Sequence, residues 1–118
     1  MPPMSKNWTE QIRERFPDWL STESALRWMD SLKSECRPYV GDLVSGAVIA
    51  RAPFGVWVDT DWGRPALLRA EDMIGADQKR IRFDEYPGFD TIINAEIISL
   101  EIDGEIGLKQ VPNPESAA

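Results

Sequence analysis

The spacing of apolar positions changes character near residue 40. Upstream it is helical. Ile12 and Phe16 stand four apart behind Thr9, a residue type that caps helices, and predict a helix over about Thr9 to Phe16 that Pro17 stops. A second helix begins at Ser21 or Thr22, and Ala25, Trp28, Met29 and Leu32 recur at i, i+3, i+4 and i+7 as one apolar face. Arg37-Pro38 ends the helical region and Gly41-Asp42 turns the chain. Downstream the period drops to two. Leu43 to Ala52 reads as a first strand with Gly46 inside it, and an internal glycine marks a bend or bulge where a strand curls. Phe54 to Thr60 is a second strand after the breaker Pro53; Val56 and Val58 point one way, and Gly55, Trp57 and Asp59 the other. Asp61-Trp62-Gly63-Arg64 is a loop, Pro65 to Arg69 a short third strand, and residues 70–90 are polar and irregular with one helical turn around Glu71 to Ile74. Thr91 to Ile102 is a long fourth strand, in which Ile93, Ala95, Ile97 and Ser99 alternate with Ile92, Asn94, Glu96 and Ile98. Asp103-Gly104 signals a hairpin, and Ile106-Gly107-Leu108 is the fifth strand.

Two short helices followed by five strands in this order predict a mainly β fold: a five-stranded barrel of the oligonucleotide-binding type with an N-terminal helical extension. The expected divisions are the extension over residues 1–40, the barrel over 41–110 and a disordered tail over 111–118. With 118 residues, 42% of them hydrophobic, one ordinary core is expected. The net charge of −7 is carried by the end of the chain: residues 1–40 and 41–83 each hold six basic and six acidic side chains, whereas residues 84–118 hold Lys109 against eight acids. Such an excess repels phosphates unless a basic patch faces elsewhere. There is no histidine, which excludes histidine-dependent triads and histidine-ligated metals. Cys36 is alone, so no intrachain disulfide is expected and a reducing cytoplasm fits. No apolar run approaches the ~18 residues of a membrane span. The opening MPPMSKNW lacks the apolar core of a secretion signal, and no membrane association is expected.

One ordered set of residues says more. Gly46-Ala47-Val48 is followed, after five residues, by Phe54-Gly55-Val56-Trp57-Val58, and then by Ala66-Leu67-Leu68-Arg69. Gly88-Phe89-Asp90, the run from Asn94 to Ile102, Asp103-Gly104 and Ile106 to Lys109 complete it. In this order and spacing, Gly41 to Lys109 resembles the ribosomal protein S-one type of RNA-binding domain, a branch of the oligonucleotide-binding folds. The resemblance implies RNA held by the aromatics of strands one and two, by the residue after strand three, and by an aspartate with a nearby basic residue at the last hairpin. Carried over residue by residue, it implies Phe54, Trp57, Arg69 (where histidine is usual) and Asp103; Glu105 stands where a basic residue is common.

The residues themselves leave alternatives open. Phe54 and Trp57 can be base-stacking platforms or can pack beneath the N-terminal helices; the valines flanking Trp57 take the core side and point its indole outward. Arg51, Arg64 and Arg69 can meet a phosphate backbone. Lys79-Arg80-x-Arg82 is the densest basic run, and such a run also serves as a solvated face. Trp62 reads as a lid on the barrel end. Trp8, Trp19 and Trp28 either bury against the barrel or offer a partner a hot spot. The carboxylates Asp59 and Asp61, and Glu101, Asp103 and Glu105, lack the glycine-turned loop of a dedicated metal site, and no phosphate-cradling loop or activated nucleophile appears. No metal, cofactor or catalysis is expected. The leading reading is a protein that binds single-stranded RNA through Phe54, Trp57, Arg69, Asp103, Arg64 and Arg51, with little sequence preference. The alternative is a protein-interaction module, inhibitor or immunity-like, docking through its acidic last third or its tryptophan-bearing helices. The first needs arginines around an exposed Trp57; the second gains if Glu101, Asp103 and Glu105 border that face.

Overall fold

The chain closes a barrel from β1 (Leu43–Ala52), β2 (Gly55–Asp59), β3 (Pro65–Arg69), β4 (Ile92–Leu100) and β5 (Ile106–Gln110), in the order β1-β2-β3-β5-β4. The structure is a computed structural model and describes residues 7–34, 37–101 and 105–112. All pairings are antiparallel except β3 with β5. Two helices precede the barrel, α1 (Trp8–Arg15) and α2 (Thr22–Ser31). The mainly β barrel with a helical extension is thus the observed architecture. Cys36, the Asp103-Gly104 turn and the tail beyond residue 112 lie outside the described residues.

Closure depends on β1, which serves two neighbours. Leu43 to Ala47 pair with β4, and Ala47 to Ala52 pair with β2. The strand therefore curls across the corner of the barrel, as an internal glycine led us to expect. At Gly46 a Cβ would lie 2.1 Å from the Asp59 carbonyl oxygen, so only glycine lets the two backbones pass. The register slips one step later, at Ile49, which has no partner between Val48–Val58 and Ala50–Trp57. That bulge resets the alternation: Val48 belongs to the interior, whereas Ala50 lies on the outer wall with Trp57 and Leu67.

The interior is built from Val48, Val56, Val58, Leu68, Ile93, Ala95, Ile97, Ile106 and Leu108, each at most 2% exposed. The ends are plugged differently. Where β2 ends and β3 begins, the indole of Trp28 enters from α2 and donates Nε1–H to the Glu101 carbonyl at 2.9 Å, with Trp62 packed beside it. At the opposite end Tyr86 donates its hydroxyl to the Pro53 carbonyl at 2.9 Å, and Met73 packs alongside.

The helices depart from the sequence expectation in small, explicable ways. α1 starts earlier, because Asn7 rather than Thr9 is its cap and accepts from the Glu10 amide at 2.9 Å. α2 is capped by Ser21 as expected, but its buried side runs through Ser24 and Trp28, and Met29 is exposed. The rotation follows from a polar anchor: Arg64 donates to the Ser24 hydroxyl at 2.6 Å and draws that edge of the helix inward.

Replacing Gly46 with alanine is expected to destabilise the fold by about 1–3 kcal/mol or more, since neither backbone at the crossing can yield without breaking strand pairing. Urea denaturation measures this; an unchanged midpoint would show that β1 and β2 do not approach as described.

Candidate nucleic-acid interface

Arg51, Trp57 and Arg69 stand on β1, β2 and β3 as read, whereas Phe54 lies in the turn before β2 rather than on it, and the surroundings of these residues differ from those expected. Trp57 points away from the barrel interior, between Ala50 on β1 and Leu67 on β3. It is nevertheless only 7% exposed, because α1 lies over it. Trp8 stacks on it with ring centroids 5.9 Å apart and planes 13° from parallel, Trp19 tilts against it at 5.7 Å, and Ile12 of α1 is fully buried in the same cluster. Each ring pair adds ~0.5–1.5 kcal/mol beyond area burial. The expectation of an exposed Trp57 is corrected: outward from a barrel is not outward to water when an apolar helix face covers that wall. Phe54, in the β1–β2 turn, meets the edge of Trp8 at 5.3 Å and is still 42% exposed.

The arginines disperse. Arg64 sits at the far end of the barrel from Phe54, 7% exposed, donating to the Ser24 hydroxyl at 2.6 Å and the Trp19 carbonyl at 2.9 Å. It ties the helices to the β2–β3 loop and is withdrawn from the interface. Arg69 is exposed but ion-paired with Glu105 at 3.3 Å, in a small cleft also lined by Asp72 and Glu101. Its charge is answered by carboxylates, the consequence of a glutamate at a position where a basic residue is common. Asp103 lies outside the described residues. The expected grouping of Arg51, Arg64 and Arg69 around Trp57 therefore does not form.

Of the three, Arg51 is the one whose side chain turns toward the cleft beside Phe54. The bulge at Ile49 sends its half-buried side chain toward the plugged end near Tyr86, where it donates to the Phe83 carbonyl at 2.8 Å and lies 4.6 Å from the Phe83 ring centroid. Its backbone amide donates to Oε1 of Gln11 on α1 at 3.0 Å.

Beside it opens a cleft of about 700 Å³, between the β1–β2 turn and the long connection from β3 to β4. Its walls include Phe54, Lys79, Arg80, Ile81, Arg82 and Phe83. Phe83 is 48% exposed. Lys79 bonds to Glu85 at 2.6 Å, Arg82 contacts Asp84 at 3.3 Å and Glu85 at 3.4 Å, and Arg80 has no ion pair among the described residues. Glu85 is held below the usual carboxylate range by the Lys79 hydrogen bond first, and then by the Arg82 backbone amide. It is fully charged at neutral pH and competes for those cations, but exposed pairs of this kind are weak. A phosphate can take the carboxylate's place. The basic run was visible in the sequence; its meeting with Phe54 was not, and Phe83 was missed altogether. An aromatic directly after a basic run is the signal that could have marked it. Among the described residues, no group of three or more cysteine, aspartate or glutamate side chains is placed to hold a metal.

No family model and no curated protein matches the sequence. The fold has counterparts among solved structures. An uncharacterized protein, MJ1198, from Methanocaldococcus jannaschii superposes with a TM-score of 0.53 at 22% identity, over 64% of this chain and 95% of its own. GSP13 from Bacillus subtilis does so with 0.53 at 17%, over 67% of this chain and 64% of its own. A chain of the a/eIF2alpha–aDim2p–rRNA complex from Pyrococcus horikoshii gives 0.52 at 20%, over 61% of this chain and 44% of its own. At these identities what is shared is the fold, the oligonucleotide-binding type of barrel that the S-one resemblance implies.

Two substitutions separate structural from surface arginines. Arg64→Ala is expected to cost about 1.5–3 kcal/mol, the value of hydrogen bonds from a buried charged group. Arg69→Ala, at an exposed pair, is expected to cost ~0–1 kcal/mol. Equal urea midpoints for the two variants would contradict the anchoring role of Arg64. A pH titration adds a sign: because the Glu85 pKa is lowered on folding, its support of the 79–85 turn is complete above the unfolded value and is lost as pH falls through the folded one. Backbone chemical shifts of residues 79–85 followed into acid should move late; movement beginning at neutral pH would contradict the pairing.

Proposed function

We propose that this chain binds single-stranded RNA in the cleft between the β1–β2 turn and residues 79–83. Bases stack on Phe54 and Phe83, and phosphates run along Lys79, Arg80 and Arg82. One observation carries the reading: two half-exposed phenyl rings and a basic run, distant in sequence, line the same cleft at the end of an oligonucleotide-binding barrel. Rings offer every base a face, and cations follow a backbone whatever its sequence, so little sequence preference is expected. The rRNA complex that contains a similar barrel supports RNA as the partner class. The reading is of a binding protein rather than an enzyme, in a reducing cytoplasm.

A second reading has one observation of its own. Asp72, Glu101 and Glu105 line a cleft of about 340 Å³ beside Arg69, which suits a basic peptide better than a nucleic acid. The tryptophan-bearing helices do not favour that reading, since Trp28 is 2% exposed and Trp8 and Trp19 lie on Trp57.

Fluorescence anisotropy with labelled oligouridylate tests the RNA reading at two salt concentrations. Phe83→Ala is expected to weaken binding by ~1–3 kcal/mol for the one stacked base lost. Arg80→Ala is expected to weaken it for all sequences and to reduce the salt slope by about 0.7. No measurable affinity at low salt, or affinity indifferent to both substitutions, overturns the site.

A further inference from the structure

The surface under α1 repeats the chemistry of the open cleft. Phe54 belongs to both: it lines the cleft, and its ring meets that of Trp8 at a steep angle, with centroids 5.3 Å apart. Beyond it lies Trp57, with the indole of Trp8 laid flat on it as a base would lie on an aromatic platform. α1 places Trp8 and Ile12 four residues apart on one face and adds Phe16 just past its end, so this short element is an apolar strip pressed on a nucleobase-sized surface.

Two features mark that contact as displaceable. An isolated helix shorter than ~12–15 residues is marginal in water, and α1 has 8, so its order depends on docking. Docking also leaves buried donors unsatisfied. Nε1 of Trp57 and Nε1 of Trp19, in the cluster that Trp8 and Ile12 complete, are sealed from solvent without a hydrogen-bond partner among the described residues. Each penalises the covered state and is relieved when the helix lifts.

We propose that α1 is an internal competitor for RNA: its Trp8 occupies the place of a base on Phe54 and Trp57, and single-stranded RNA seated in the open cleft extends along the barrel wall by displacing it. The inference rests on the RNA reading above. Exchange of one indole for one base keeps the apolar contact nearly balanced, while phosphates reach the cations at the cleft and the freed indole N–H groups gain partners.

The test uses the full chain and an oligouridylate of about a dozen nucleotides, within the span of one such barrel. Amide hydrogen exchange is followed over residues 11–16 with and without the oligonucleotide, and affinities are compared for the parent chain, Trp8→Ala and Ile12→Ser. The second variant loosens the helix without removing the indole, and thermal midpoints confirm that both barrels are intact. RNA is expected to strip protection from α1 while β2 stays protected, and both variants are expected to bind on the order of tenfold more tightly, the worth of one stacked base. Binding by the variants alone supports the competitor in its strongest form. Unchanged or weaker binding by both variants, or α1 protection that survives RNA, overturns it and leaves the cleft reading standing. Absence of binding in all three chains removes both.

Discussion

The course of β1 is the constraint on which the molecule depends. One strand pairs with β4 through its first half and with β2 through its second, and the barrel closes only if it curls between them. Gly46 permits the close passage and the bulge at Ile49 resets which side chains face in. The bulge has a consequence on the outside. It brings Ala50 level with Trp57 and Leu67, an apolar patch on a wall that faces water in the bare barrel. Covering a large apolar side chain is worth ~1.5–3 kcal/mol, enough to hold a short helix that has little stability alone. The position of α1 is thus a consequence of how β1 turns.

Charge is divided by the same geometry. Arg64 precedes β3 at the end where α2 enters, and there a guanidinium finds the Ser24 hydroxyl and the Trp19 carbonyl. Arg69 ends β3 opposite Gly55, and its side chain finds Glu105. Arg51, turned by the bulge, and the run from Lys79 to Arg82 gather at the end that holds Phe54, whereas the Arg69 side chain at that end is engaged by Glu105. A chain of net charge −7 can therefore present a local basic run, because Glu96 lies on β4 and Glu101 and Glu105 line the cleft beside Arg69, away from Arg80. The cleft cations keep their own carboxylates close. That mutes the site in the absence of a polyanion without preventing exchange of one acceptor for another.

The two candidate surfaces share Phe54 and differ in what covers them. One is open, the other is occupied by an indole from the same chain. Under the proposed RNA reading, a stacking surface filled by the chain's own tryptophan couples the helical extension to whatever that surface holds.

Much of this was written locally. Alternation in β2 and β4, Gly46, the glycine-bearing turns and the capping serine of α2 act over a few residues, so their signals survive in the bare sequence and carry the barrel, its strand bounds and the outward direction of Trp57. The failures share one cause. Whether Trp57 meets water depends on Trp8, nearly fifty positions away; whether Arg64 is free depends on Ser24; and whether a basic run is a solvated face or a cleft wall depends on Phe54. Direction along a strand is a property of the backbone and can be read from period two. Exposure and pairing are properties of contacts between distant segments, and only the closed barrel brings those segments together.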